Sequence, residues 1–246
     1  MPQAPVYIVS DIHLGAVPKD TETDFCSWLR HAGEAASRVF INGDLFDFWF
    51  EYRSVIPRGH TRVLGALAAL VDAGVPVELM GGNHDWWGGT YLREEIGITF
   101  HTEPLTAELA GKRALVAHGD GLGAGDVSYR ALRLVLRGRP TRWAFRWLHP
   151  DVGAWIASHV SRTELRVGEP DSGELARGRF LREWAVAALE RDPELDLVLL
   201  GHSHLPEMVE PDEGRYYVNG GDWVRHRTFV VLEENAPPRL EDWPAR

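Results

Sequence analysis

Five times along this chain an apolar run breaks off at a tight turn carrying a carboxylate, an amide or an imidazole. Val6 to Val9 runs into Ser10-Asp11-Ile12-His13, and Val39 to Ile41 into Asn42-Gly43-Asp44. Val75 to Met80 ends at Gly81-Gly82-Asn83-His84-Asp85, Arg113 to Ala117 at His118-Gly119-Asp120, and Leu195 to Leu200 at Gly201-His202-Ser203-His204. Short runs rich in Val and Ile, bounded by Gly, Asn and Asp, read as buried strands. An open α/β sheet holds its ligands along the C-terminal edge of its strands. One Asp or His in such a turn is an ordinary turn former. Five strand ends with the same chemistry point instead to one shared site.

The stretches between the runs are helical. Asp24 to Ala36 puts Phe25, Trp28, Leu29 and Ala32 on one face. His60 to Ala73 does the same with Val63, Leu67, Leu70 and Val71, and Gly74 closes it. This β-α-β-α-β order predicts a mostly parallel sheet with helices packed on it. Tyr91 to Ile96 predicts a short helix. Thr99 to Leu109 and Arg113 to Ala117 predict strands of a second, more antiparallel part. From Asp126 to about Arg191 the pattern is helical. Glu207 to Val209, Arg215 to Val218 and Arg227 to Leu232 predict closing strands, and the last residues a loose terminus. A chain of 246 residues has enough core for one large domain with an inserted subdomain.

The net charge of -10 argues against a general nucleic-acid binder, which would show a basic footprint. The one cysteine, Cys26, cannot form an internal disulfide, so a reducing compartment is expected. Met1 to Pro5 is too short and polar for a signal peptide, and no run reaches the ~18 apolar residues of a membrane span, so a soluble, cytoplasmic protein is expected.

Asp11, His13, Asp44, Asn83, His118, His202 and His204 offer carboxylate, imidazole and amide oxygen and no thiolate, a set suited to borderline or hard divalent cations. Side chains two apart on an extended backbone share a side, so Asp11 with His13, and His202 with His204, could each grip one ion. Seven groups exceed the needs of one ion that keeps positions open for water and substrate. Two ions sharing a bridging carboxylate fit better; such pairs stand about 3.5–4 Å apart and clamp the attacking and leaving oxygens of a displacement at phosphorus.

Asp11-x-His13, Gly43-Asp44-x-x-Asp47, Gly82-Asn83-His84-Asp85, His118-Gly119-Asp120 and Gly201-His202-Ser203-His204 resemble the ordered motifs of the calcineurin-like metallophosphoesterases. The resemblance implies an α/β fold, a four-layer α-β-β-α sandwich formed by one domain spanning 1–246. It also implies a ligand assignment. Asp11, His13, Asp44 and His204 would hold one metal; Asp44, Asn83, His118 and His202 the other, with Mn²⁺ the expected ion. His84 would then be no ligand but a general acid or charge stabiliser beside the phosphate, with Asp47 orienting it. Asp85 and Asp120 read as carboxylates that bond their own turns.

The substrate question turns on the insertion between His118 and His202. From Arg130 to Arg146 there are six arginines and no acid, interleaved with Leu132, Leu134, Val135, Leu136, Trp143 and Phe145 and followed by Trp147 and Leu148. Apolar side chains beside arginines suit a helix lying on an anionic membrane surface; the alternative is a helical pair packed on the body with its arginines in water. So much Leu and Trp fits acyl chains better than nucleic acid. Gly43-Asp44-Leu45-Phe46-Asp47-Phe48-Trp49-Phe50-Glu51-Tyr52, Tyr91-Leu92-x-Glu94-Glu95-Ile96-Gly97, His118 to Gly123, Leu148-His149-Pro150 and Gly221-Asp222-Trp223 resemble the UDP-2,3-diacylglucosamine pyrophosphatases of lipid A biosynthesis. That closer resemblance implies a helical cap at about 127–170 over the site. It implies a lipid-linked nucleotide sugar as substrate, cut to lipid X and UMP, at the inner face of the cytoplasmic membrane. Asp126 would contact the glucosamine and Asn83 the phosphate, with His84, Ser161, Arg162 and His202 completing the substrate contacts. Many of those enzymes carry Arg where this chain has His84. The rival expectations are a nucleotide or cyclic-nucleotide phosphodiesterase, with a small polar pocket, and a non-catalytic metal-binding scaffold.

Overall fold

In the computed structural model, which describes residues 4–122, 133–160 and 168–245, two sheets stack face to face. In the first, β1 (Val6–Val9), β2 (Arg38–Asn42), β3 (Val77–Met80) and β4 (Thr99–His101) run parallel, and β10 (Thr228–Leu232) and β11 (Arg239–Asp242) extend it antiparallel beyond β1. The second has the order β5 (Leu105–Leu109), β6 (Lys112–Val116), β7 (Leu197–Leu200), β9 (Arg215–Gly220), β8 (Pro206–Asp212). Its three inner strands are parallel and its two outer ones antiparallel. The C-terminal ends of β1, β2 and β3 therefore form one edge, and those of β6, β7 and β9 form another.

Strand alternation sorts the apolar residues into layers. Tyr7 and Val9, Val39 and Ile41, Val77 and Leu79 face outward, onto α1 (Lys19–Ala35) and α2 (Thr61–Asp72), which contribute Phe25, Trp28, Leu29, Ala32, Val63, Leu67 and Leu70. Val6, Ile8, Phe40 and Met80 face inward and meet Leu109, Ala114, Val116, Leu197, Leu199 and Val218 of the second sheet. On the far side Leu181, Ala185, Ala188 and Leu189 of the helix Ser172–Arg191 cover Val198, Leu200 and Tyr217. The layers are α-β-β-α. Each fully buried Leu, Ile or Phe contributes about 1.5–3 kcal/mol, and three such cores hold the strand edges in register.

Three expectations need correction. Thr99 to Leu109 is two strands in two different sheets, because Pro104 has no N–H to continue a ladder and the chain crosses between the sheets there. The tail is not loose. Arg239–Asp242 pairs with β10, Leu240 packs against the core between the sheets, and Arg239 donates to both oxygens of Glu233 at 2.9 and 3.1 Å. The first helix begins at Lys19, five residues earlier than Asp24, with Asp20 and Glu22 in its first turn where the helix dipole favours anions. The remaining helices are the short α3 (Thr90–Glu94), α4 (Arg139–Phe145), α5 (Pro150–Val160) and α6 (Ser172–Arg191), with a further helical stretch at 133–137. Asp126, Ser161 and Arg162 lie outside the described residues.

Candidate metal centre

The edges of both sheets meet at one place. The ligand atoms of Asp11, His13 and His204 lie within 4.8 Å of one another, as do those of Asp44, His118 and His202, and those of His13, Asp44 and His84. Asp11, His13, Asp44, His118 and His204 are buried, while His84 and His202 are partly open. Asn83 occupies the same turn as His84 and is exposed. Unpaired carboxylates at such depth would cost several kcal/mol each, so this assembly demands compensating positive charge.

The backbone that makes this convergence is strained. Among the described residues eight other than glycine have positive φ, and five of them are candidate ligands: Asp11 (54°), His13 (51°), Asp44 (52°), His202 (66°) and His204 (64°). Such conformations cost about 1–3 kcal/mol apiece and cluster where function over-determines them. They also correct the expected geometry: Asp11 and His13 converge through left-handed turns, not through the two-residue period of a strand, while His202 and His204 part, His204 joining Asp11 and His13 and His202 joining Asp44 and His118. Backbone bonds lock the turns together. Asp11 N–H donates to Gly43 O at 3.1 Å, and the N–H groups of Ile12 and His13 share Asp44 O at 2.9 and 3.0 Å. Glycines make the space. A Cβ on Gly43 would stand 2.2 Å from His118 Nδ1, and one on Gly82 would stand 2.1 Å from Asp44 Oδ1.

Each ring of three histidines presents Nδ1 to an oxygen and turns Nε2 inward. His118 Nδ1 lies 2.8 Å from Asn42 O, a carbonyl that can only accept, so the proton sits on Nδ1. His204 Nδ1 is 3.0 Å from Asp222 Oδ2, and His13 Nδ1 is 3.4 Å from Asp47 Oδ1. Their Nε2 atoms meet the carboxylates: His118 to Asp44 Oδ2 at 3.2 Å, His13 to the same oxygen at 3.8 Å, and His204 to Asp11 Oδ1 at 3.5 Å. Imidazoles that bind metal are oriented in this way by a second hydrogen bond. Asp44 Oδ2 thus stands between two groups, while Oδ1 accepts His84 N–H at 2.9 Å. Two sets of oxygen and imidazole donors that share one carboxylate suit two divalent cations of the borderline kind.

The electrostatics follow. Burial alone would raise Asp44, but His118 and His84 hold it well below the usual carboxylate range. Burial lowers His118, and the Asp44 charge more than reverses this, leaving it well above the ordinary value. His202 is held well below it by burial and by the His118 charge. Burial also lowers His13.

The neighbours refine the expected roles. His84 Nδ1 lies 2.8 Å from the backbone carbonyl of Asp47, whose carboxylate is 3.6 Å from His84 Nδ1 and 3.4 Å from His13 Nδ1. Asp47 therefore meets His84 first through its main-chain carbonyl, and its carboxylate lies near His13 as well. Asp85 accepts N–H bonds from Leu45, Phe46 and Gly82, tying the second strand end to the third; burial and the Asp44 charge push its pKa up to about 7 against these bonds. Arg133 and Arg137 reach the Asp120 carboxylate at 3.3 and 2.9 Å, so it meets the helical segment at 133–137 as well. Asp222, at the end of β9, was missing from the candidate set. The run Arg215 to Val218 followed by Gly221-Asp222 is a sixth strand end of the same kind, and that was the available signal.

The segments that follow Asp47 and Asp85 carry an aromatic cluster. Phe145 of α4 packs against Phe50 (4.6 Å between ring centres), Trp87 (5.0 Å) and Phe48 (6.1 Å). The Arg137 guanidinium lies 4.8 Å over the Trp86 ring, and Trp87 Nε1 donates to Leu136 O at 3.2 Å. In the same region Leu134, Val135, Trp143, Trp147 and Trp155 are all more than half exposed.

A model of the calcineurin-like phosphoesterase family matches residues 4–206. A Porphyromonas gingivalis protein named UDP-2,3-diacylglucosamine hydrolase is 34% identical to this chain, covering 93% of it and 94% of its own length. A protein of the same name from Ralstonia nicotianae is 30% identical over 89% of this chain and 84% of its own. Among solved structures, a hypothetical protein of Pyrococcus horikoshii OT3 superposes with a TM-score of 0.52 at 12% identity, covering 98% of this chain and 88% of that one, which shows the shared fold.

Proposed function

From the premise that this chain belongs to the calcineurin-like phosphoesterase family, we propose that it hydrolyses the pyrophosphate of UDP-2,3-diacylglucosamine to UMP and the diacylated sugar phosphate, lipid X. The observation that carries the reading is the pair of donor sets sharing Asp44 at the meeting edges of the two sheets. Relatives named for this substrate at up to 34% identity over nearly the whole chain support the choice.

Asp11, His13, Asp44 and His204 hold one divalent ion, and Asp44, Asn83, His118 and His202 hold the second, with Mn²⁺ the ion we expect. Ions bound there supply Lewis acidity, acidifying water and drawing charge from phosphoryl oxygens. The protein's own groups do the rest. Water adds to the phosphorus next to uridine, the P–O–P bond breaks, and the sugar phosphate leaves. His84, its Nδ1–H held by the Asp47 carbonyl, would as the imidazolium present Nε2–H to the reacting phosphoryl group and donate that proton to its oxygens as general acid or charge stabiliser. The Asp47 carboxylate, 3.6 Å from His84 Nδ1 and 3.4 Å from His13 Nδ1, helps to hold both rings in place. Asn83, His84 and His202 face the phosphates. Asp126, just before the proposed cap of about 127–170, and Ser161 and Arg162 within it we assign to the sugar and its acyl groups.

The exposed tryptophans in and around helices α4 and α5 complete the proposal. Trp143, Trp147 and Trp155 are exposed beside the exposed Arg139 and Arg146, a composition that suits an anionic leaflet on the cytoplasmic side of the membrane. No helix among the described residues is long and apolar enough to cross a bilayer, so contact of this kind is peripheral. The test is UMP release from UDP-2,3-diacylglucosamine beside cleavage of a simple aryl phosphodiester, each with added Mn²⁺ or EDTA. Metal-dependent UMP release is expected. Efficient diester cleavage without UMP release would instead mark a nucleotide phosphodiesterase.

A further inference from the structure

Asp222 lies in the turn after β9 and is fully buried. Every oxygen of its carboxylate is engaged. Oδ2 meets His204 Nδ1 at 3.0 Å. Oδ1 meets His226 Nδ1 at 3.0 Å and accepts the N–H groups of Arg225 and His226 at 2.9 and 3.0 Å. Arg225 Nε stands 3.6 Å from Oδ2, and its two Nη atoms reach Glu174 at 3.1 and 2.8 Å. Glu174 in turn closes a capping box with Asp171 at the start of α6, where the chain returns from the inserted helices. Trp223, fully buried, anchors the turn, and its N–H donates to Asp11 O at 3.1 Å.

We propose that Asp222 is the positioning residue of one half of the metal centre: it accepts the Nδ1 proton of His204, so that a bare Nε2 is aimed at Asp11 and the ion they share with His13. In water an imidazole samples both tautomers and rotates freely, so a buried carboxylate on Nδ1 removes the wrong tautomer and fixes the ring's orientation. The effect is confined to this half. His118, in the other half, is oriented by the main-chain oxygen of Asn42 instead. The line Asp222, Arg225, Glu174 also secures the turn to α6, so the same residue joins the metal floor to the exit of the insertion.

This inference rests on the two-ion reading of the site. Equilibrium dialysis of the metal-free chain against graded Mn²⁺, read by elemental analysis, tests both separately. The wild-type chain is expected to bind two ions. Asp222→Asn, which keeps the shape of the side chain, is expected to retain one at wild-type affinity and to bind the other about 10- to 100-fold more weakly. Turnover by the variant should recover at saturating Mn²⁺. A wild-type chain that binds one ion or none overturns the two-ion reading and this inference with it. Two undiminished affinities in the variant, equal weakening of both, or no recovery at saturating Mn²⁺ overturns the role of Asp222 alone. Should Asp222→Asn fail to fold, nitrogen-15 spectra of the wild-type metal-free chain decide: His204 must carry its proton on Nδ1, and a proton on Nε2 refutes the proposal.

Discussion

Asp44 is the residue on which both halves of the site depend, since its Oδ2 stands between His13 and His118. Asp44→Ala should therefore cost both ions. His84→Ala should leave two ions in place and lower kcat by about 10²- to 10⁴-fold, the usual contribution of a positioned acid–base group. Loss of an ion from that variant, measured by elemental analysis, would make His84 a ligand, as its proximity to His13 and Asp44 permits. Gly43→Ala should disrupt the His118 half, because the new Cβ falls 2.2 Å from that ring at a φ of +90°; a variant with unchanged metal affinity would contradict this. At this scale most of the candidate set was legible, because an apolar strand that ends in His or Asp advertises itself. Asp222 was harder to see, since its role depends on His204 and Arg225 and becomes visible only when turns distant in sequence are brought together.

Helix α2 carries a pH dependence of its own. His60 precedes its first residue, packs against Phe46 and Trp49, and is pushed by burial from an ordinary 6.5 down to about 4. The folded chain keeps this ring neutral, while the unfolded chain protonates it below about pH 6.5. Its contribution is therefore complete above that pH and is lost as pH falls toward 4, by an amount of order 3 kcal/mol. Urea unfolding of wild type and His60→Leu across pH 7 to 4 should show their stability difference shift in favour of the variant by roughly that amount; parallel curves would show that the ring titrates normally. Elements with a strong period were legible, as in the β-α-β-α-β half, where each strand face finds its layer. The break at Pro104 and the edge strand β11 were not, because short polar strands take their structure from the ladder they join.

Across the whole molecule, an acidic chain of net charge -10 carries one arginine-rich face. Part of that basic charge is spent inward: Arg133 and Arg137 hold Asp120 beside the site, and Arg137 and Arg142 lie over Trp86. Arg139, Arg146 and the exposed tryptophans remain outward. Replacing Trp143 and Trp147 together by Ser should weaken sedimentation with vesicles of anionic phospholipid while leaving turnover of detergent-dispersed substrate near wild type. Undiminished vesicle binding would assign the patch another purpose. The order of motifs along the chain was enough to foresee a two-sheet sandwich, but not which strand joins which sheet, since that is decided by packing between layers. The site itself admits a direct test. Crystals grown with Mn²⁺ should give two anomalous peaks about 3.5–4 Å apart, one beside Asp11, His13 and His204 and one beside His118 and His202, with Asp44 touching both. A single peak, or two that do not share Asp44, would contradict the account.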